Sequence, residues 1–321
     1  MVIRNLKTKP LSHSHFLAPL IKLLRNTLLL VFSIISIDIL AETKVVVLGS
    51  GTPNPDPNRG GSSYAVLVND LAYLVDFGPG IVRSASSLSP TWGGKFEELE
   101  VKNLEYAFLT HIHSDHSAGL SDLILTPWVL GRERPLKLFG PPQLAKMAKN
   151  IQIAYEDDIN YRINGSQPSN AEGYKTLFKA NKEGVIFKDS NVTVRAFQVN
   201  HGELVDSYGY SFITDDKKIV FSGDTAMSDV LIEEAKGADI LVHEVFSEKG
   251  FQRKTEDWKT YHKAHHTSSL EVGLIANMAK PKKLVLSHVL FWGASKESIL
   301  EDVKLNFKGE TILAEDRMVI N

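Results

Sequence analysis

Cysteine does not occur in the 321 residues. Its absence excludes a disulfide framework and thiolate catalysis, and it is compatible with export without requiring it. No internal repeat, low-complexity tract or Pro/Ser-rich linker interrupts the chain, so nothing marks a second folded domain. An excess of basic residues is also missing: 36 Lys and Arg stand against 38 Asp and Glu, a net charge of −2. Such a balance makes the whole surface a poor electrostatic partner for a polyanion. The apolar run at Thr27 to Ile37 is too short to span a membrane comfortably, which takes about 20 residues. It follows Arg4, Lys7, Lys9, Lys22 and Arg25 and precedes Asp38-Ile39-Leu40-Ala41. Basic, then apolar, then small is the order of a secretory signal. Residues 1–41 are therefore expected to be a signal peptide, with an uncleaved anchor left open. Residues 42–321 would form one folded domain in the periplasm or outside the cell, with no stable membrane insertion after processing. Without residues 1–41, Lys and Arg fall from 36 to 31 and Asp and Glu from 38 to 37, leaving −6.

What the chain does have is a dense set of metal-binding side chains. His111, His113, Asp115 and His116 fall within six residues directly after the apolar run Tyr106 to Leu109. That run reads as a buried strand ending at Thr110. On an extended stretch His111 and His113 point to the same side and can share one cation. The turn through Ser114 offers Asp115 and His116 to a second. Imidazole nitrogen and carboxylate oxygen are ligands that zinc prefers.

This H-x-H-x-D-H pattern resembles the metallo-β-lactamase superfamily of binuclear metallohydrolases. The remaining ligands that the resemblance implies follow in order. Val192 to Val199 reads as a strand leading to His201, Lys218 to Phe221 as a strand leading to Asp224 through Ser222-Gly223, and Leu284 to Ser287 as a strand leading to His288. The resemblance implies two divalent ions, most simply Zn2+. His111, His113 and His201 would hold one, Asp115, His116 and His288 the other, and Asp224 would lie between them. Asp115 also counts among the catalytic side chains. Asp76 is either a carboxylate supporting a ligating histidine or a turn residue at a strand end.

Lys44 to Gly49 opens as a strand, and the Ser50 to Ser63 stretch reads as a loop forming the rim of the site. Tyr64 to Val68 and Ala72 to Val75 pair across Asn69-Asp70. Ser117 to Leu130 reads as a helix, as does part of Pro141 to Asn160. Tyr155 to Lys182 has no clear period and resembles the family's substrate-covering insertion, placed at about 150–182. Asp239 to Glu244 is a strand, and Leu270 to Ala279 a helix capped by Thr267 or Ser268. The fold class implied is α/β, a four-layer αββα sandwich, in which each sheet carries helices on its outer face.

His243-Glu244 and His266-Thr267-Ser268 resemble two further motifs of ribonuclease Z, a branch of the superfamily. His266 would then donate a proton to the leaving group, oriented by Glu244, although the register leaves His265 open for that role. On substrate the expectation goes elsewhere. No Arg follows His288, the insertion lacks a basic excess, and Phe291-Trp292 suits a flat apolar group. The chain is accordingly expected to be an arylsulfatase-like or phosphodiesterase-like enzyme that acts on small sulfate or phosphate esters by attack of water activated at the metals. Its partner would be a small-molecule ester, aromatic in one form, with nucleic acid disfavoured and a homodimer left open. A ribonuclease Z-type endonuclease and a lactone or β-lactam hydrolase are the alternatives.

Overall fold

The apolar runs become strands buried on both faces, which is why they read as continuous rather than alternating. A computed structural model describes residues 42–321; the expected signal peptide lies outside the described residues. The first sheet contains β1 (Lys44–Gly49), β2 (Ser63–Val68), β3 (Leu71–Val75), β4 (Tyr106–Phe108), β5 (Leu136–Gly140), β6 (Thr176–Ala180) and β14 (Val319–Ile320). The second contains β7 (Gly184–Lys188), β8 (Thr193–Gln198), β9 (Tyr208–Ile213), β10 (Lys218–Phe221), β11 (Ile240–Phe246), β12 (Lys283–Leu290) and β13 (Glu310–Leu313). Their orders are β14-β1-β2-β3-β4-β5-β6 and β13-β12-β11-β10-β9-β8-β7, each partly antiparallel and partly parallel.

Alternation along each strand divides the core into layers. Val45, Val47, Val66, Val75 and Phe108 meet Val194, Phe212, Phe221, Val242 and Val285 between the sheets. Val46, Leu48 and Leu74 face the other way, against Ile81, Leu120, Leu123, Ile124 and Leu144 of the helices on the first sheet. On the second sheet Val220, Leu241, Leu284 and Leu286 pack against Leu231, Val272, Ile275, Ile299 and Val303. This is the αββα sandwich expected.

Local differences have physical causes. The helix read over Ser117 to Leu130 is two pieces, Ser114–Ser117 and Leu120–Val129. The aperiodic stretch contains a helix, Glu156–Asn164, and the edge strand β6. Only Ile159 of that helix is buried, so no apolar stripe betrays it. Its support is local: Glu156, Asp157 and Asp158 in the first turn suit the helix dipole, and Arg162 pairs with Asp158 at 2.8 Å. The cap of Ser269–Ala279 is Ser268, in a capping box with Glu271.

Strands β3, β4, β8, β10, β11 and β12 end where the two sheets are joined by backbone and side chain. Tyr208 N–H donates to Thr110 O at 3.0 Å, and the Tyr210 hydroxyl donates to Leu109 O at 2.5 Å. Chain segments leaving these carboxyl ends form a crevice, the usual place for chemistry in α/β sheets.

Candidate metal centre

The segment after β4 turns sharply, and the helix Ser114–Ser117 carries Asp115 and His116. Gly78 must be glycine for this to pack: a Cβ there would lie 2.2 Å from the Asp115 carbonyl. Gly223, at φ 60°, sets Asp224 after β10, and a Cβ on it would meet Tyr208 O at 2.6 Å. His288 owes its position to a bulge. Ser287 pairs with Glu244 and Val289 with Val245, so His288 is the extra residue, at φ 47°. A non-glycine residue there is uncommon, and a bulge re-aims a side chain where a regular strand could not.

All seven expected ligands come together. His111 Nε2 and His201 Nε2 each lie 3.1 Å from His113 Nδ1. His116 Nε2 lies 3.4 Å from Asp224 Oδ1 and 3.5 Å from Asp115 Oδ2. His288 Nε2 lies 2.9 Å from Asp115 Oδ2 and 3.4 Å from Asp224 Oδ2, and the latter is 3.8 Å from His111 Nε2. Donors around a tetrahedral zinc, with bonds of about 2.0–2.1 Å, stand about 3.3 Å apart. His116 Nε2 and Asp224 Oδ1 are buried and without hydrogen-bond partners, as atoms that hold a cation would be. The residues thus fit two adjacent metal ions, with Asp224 reaching both groups. His266 forms a further grouping with Asp224 and His288.

The distal ring nitrogens are also provided for. His116 Nδ1 bonds Asp76 Oδ2 at 2.7 Å, and His201 Nδ1 donates to His265 O at 2.8 Å. These bonds fix the tautomer and leave each Nε2 lone pair facing the centre. Asp76 is therefore a supporting carboxylate; its Oδ1 also accepts from Thr110 N–H at 2.7 Å.

Charge is arranged to match. Burial and neighbouring imidazoles push His111 well below its ordinary pKa, and burial lowers His113 and takes His201 to about 4. Each shift favours the neutral imidazole, the form that binds metal. Burial opposes ionisation of Asp224 and Asp115, but His288 and His116 beside them hold both carboxyls below the usual range. Burial likewise works to lower His116, yet Asp224, Asp115 and Asp76 raise it well above its ordinary value, so these carboxylates favour a cation here and a metal would take the place of the Nε2 proton.

The structure distinguishes His266 from His265. The His265 ring stacks on Tyr261 at 4.0 Å, and its Nδ1 donates to Tyr261 O. His266 lines the cleft over the metal ligands. Its Nδ1 is 3.4 Å from Glu244 Oε2, and both atoms are buried without hydrogen bonds. Burial takes His266 to about 4, and burial together with Asp224 raises Glu244 well above its usual range. Thr267 ties this region down, its N–H donating to Glu244 Oε1 at 2.7 Å and its hydroxyl to Thr225 O at 2.6 Å.

The cleft encloses about 380 Å³. Pro53 and Asn54 of the expected rim line it, and Trp292 does so while Phe291 packs on the core of the second sheet. Lys254, Trp258, Tyr261 and His262 also line it, and the sequence reading missed all four. The signal for the last three was the spacing Trp258, Tyr261, His262 and His265 on one helical face just before His266; Lys254 lies before that helix and had none.

The beta-lactamase superfamily domain matches residues 72–289, a span that includes every ligand above. Among curated relatives, ribonuclease Z of Mycobacterium bovis (strain BCG / Pasteur 1173P2) is 31% identical over 256 residues, covering 76% of this chain and 85% of the relative. Ribonuclease Z of Mycobacterium marinum is 30% identical over 252 residues, with the same coverage of 76% and 85%. In fold, the metallo-β-lactamase fold protein YhfI of Bacillus subtilis superposes with a TM-score of 0.65 at 22% identity, over 87% of this chain and 100% of that one. The short form of human tRNase Z gives 0.61 at 23%, over 87% and 98%.

These relatives overturn two expectations. The arylsulfatase-like reading gives way to the ribonuclease Z alternative, and nucleic acid can no longer be called a disfavoured partner. Net charge is an average over the whole surface, whereas phosphate recognition is local. An Arg after His288 is also not the only cation that could serve: Lys254 reaches the cleft from a different part of the chain.

Proposed function

The chain belongs to the metallo-β-lactamase superfamily, and from that premise we propose that it is a metal-dependent endoribonuclease of the ribonuclease Z type, hydrolysing a phosphodiester of RNA. The observation that carries the proposal is the convergence of seven nitrogen and oxygen donors at tetrahedral spacing, in a chain 31% identical to a ribonuclease Z. Zinc suits such donors. His111, His113 and His201 would hold one ion, Asp115, His116 and His288 the second, with Asp224 shared. When bound, two such ions supply the Lewis acidity that makes water nucleophilic near neutral pH and offset charge on the phosphate.

The chain's own groups do the rest. Asp76 and the His265 carbonyl hold His116 and His201 with their lone pairs forward. His266, backed by Glu244, moves a proton to the departing ribose oxygen, and Thr267 keeps the pair in place. The test is a comparison of precursor transfer RNA carrying a 3′ trailer, bis(4-nitrophenyl) phosphate, 4-nitrophenyl sulfate and a chromogenic cephalosporin. Cleavage of the RNA at its 3′ boundary with the highest kcat/KM is expected. An intact RNA beside a hydrolysed cephalosporin would overturn the proposal and favour lactam chemistry.

A further inference from the structure

Ligands for the two ions come from both sheets. His111, His113, Asp115 and His116 follow β4 of the first, whereas His201, Asp224 and His288 come from the ends of β8, β10 and β12 of the second. Each ligand group therefore straddles the interface between the sheets, and its donor spacing depends on how far apart the sheets stand at that point. A binding constellation has to be held to within about 0.5 Å. Packing alone does not do this on one side. Asp224 and His288 border a cavity of about 20 Å³, which Tyr64, Asp76, His116 and Glu244 also line; that is room for roughly one water molecule.

Two hydrogen-bonded ties cross the interface at these points. The Tyr64 hydroxyl, on β2, donates to Ser287 Oγ, on β12, at 2.7 Å, and both residues are buried. Ser287 is the last paired residue before the bulge that aims His288. On its own sheet Tyr64 pairs with Val75, the neighbour of the Asp76 that holds His116. One hydroxyl pair thus links the support of His116 to the base of His288. The second tie joins the exit of β4 to β9: Tyr208 N–H and the Tyr210 hydroxyl donate to Thr110 O and Leu109 O, just before His111. Tyr208 and Tyr210 pair with Gln198 and Ala196 of β8, the strand that leads to His201. We propose that the ties are separate spacers for the two ligand groups: Tyr64 with Ser287 sets His288 against Asp115 and His116, and Tyr210 sets His201 against His111 and His113. These three are positioning residues, acting through the strands that carry the ligands. The inference rests on the binuclear reading of the centre and is independent of the substrate.

Zinc binding tests this without any turnover. Wild type is first titrated in competition with a chromophoric chelator, where two binding steps are expected, and the steps lost in His288→Ala and in His111→Ala assign each step to its group. Tyr64→Phe should then weaken the His288 step roughly tenfold, the lower end of the scale for a lost supporting partner, and the other step far less. Tyr210→Phe should do the reverse. The double variant Tyr64→Phe/Ser287→Ala separates positioning from folding. Removing one partner of a buried hydrogen bond strands the other, whereas removing both is nearly neutral. The double variant should therefore regain the metal-free melting temperature that Tyr64→Phe loses, while its His288 step stays weak. Recovery of the zinc step together with the melting temperature would make the hydroxyl pair a stability feature and overturn the proposal. Equal weakening of both steps in Tyr64→Phe would also overturn it, as would affinities within about twofold of wild type in both single tyrosine variants. A single zinc step in wild type would remove the binuclear reading, and the proposal with it.

Discussion

Replacing Asp76 with Asn alters a single functional group in a buried cluster, and the structure gives both the direction and the scale of the effect. Asp76 accepts from Thr110 N–H at 2.7 Å through Oδ1 and bonds His116 Nδ1 at 2.7 Å through Oδ2. Asn tolerates the left-handed backbone at φ 57°, so the fold should survive. Its amide oxygen can keep Thr110, but its NH2 then faces His116 Nδ1. The imidazole must accept there and carry its proton on Nε2, the atom 3.4 Å from Asp224 Oδ1 that should offer a lone pair to a metal. Flipping the amide only moves the conflict to Thr110 N–H. Loss of such a supporting partner weakens metal binding by roughly 10- to 100-fold, or about 1.4–2.8 kcal/mol. Competition with a chromophoric chelator for zinc measures it directly, with melting of the metal-free protein as the control for folding. One of the two binding steps should weaken by that factor, while the step at His111, His113 and His201 changes little. Affinities within twofold of wild type at both steps, with an unchanged metal-free melting temperature, would refute the argument that Asp76 sets the His116 tautomer.

Elemental analysis at saturating zinc should find two ions per chain, with His111→Ala and His288→Ala each retaining fewer; unchanged content in both variants would remove the binuclear assignment. His266→Ala should lower kcat by roughly 10²–10⁴-fold on RNA, whose ribose oxygen leaves poorly, and far less on bis(4-nitrophenyl) phosphate, whose 4-nitrophenolate departs without a proton. Equal losses with metal retained would make His266 a structural residue. Arg132 is buried and donates to the carbonyls of Leu104, Leu123, Ile124 and Gly173; Arg132→Met, stranding groups worth about 1–3 kcal/mol each, should lower the urea midpoint strongly, and a shift under about 1 kcal/mol would contradict that accounting. For the signal peptide expected over residues 1–41, mass spectrometry of exported protein should find an N-terminus near Glu42. An intact chain confined to the cytosol would show that the segment has another role, and the location decides which RNA the enzyme meets.

The sequence alone placed four candidate ligands side by side, and the family resemblance supplied the other three in order. His111, His113, Asp115 and His116 sit within one turn of chain, and His201, Asp224 and His288 each follow a recognisable apolar strand. The layered sandwich was implied by the same resemblance; the unbroken apolar runs marked only its strands, which are buried on both faces. Other features depended on contacts between distant segments. Whether Asp76 was a turn residue or a support for His116 was decided by strands β3 and β4 running parallel, side by side. The aim of His288 came from a bulge against β11 that no periodicity announces. The choice between His265 and His266 was set where the helix Glu256–His265 ends, which turns one ring onto Tyr261 and the other into the cleft. The aromatic lining of the cleft was hidden for the same reason: Lys254 and Trp258 lie more than thirty residues before Trp292. Only the closing of the second sheet's loops over its carboxyl ends brings them into one cleft with the metal ligands.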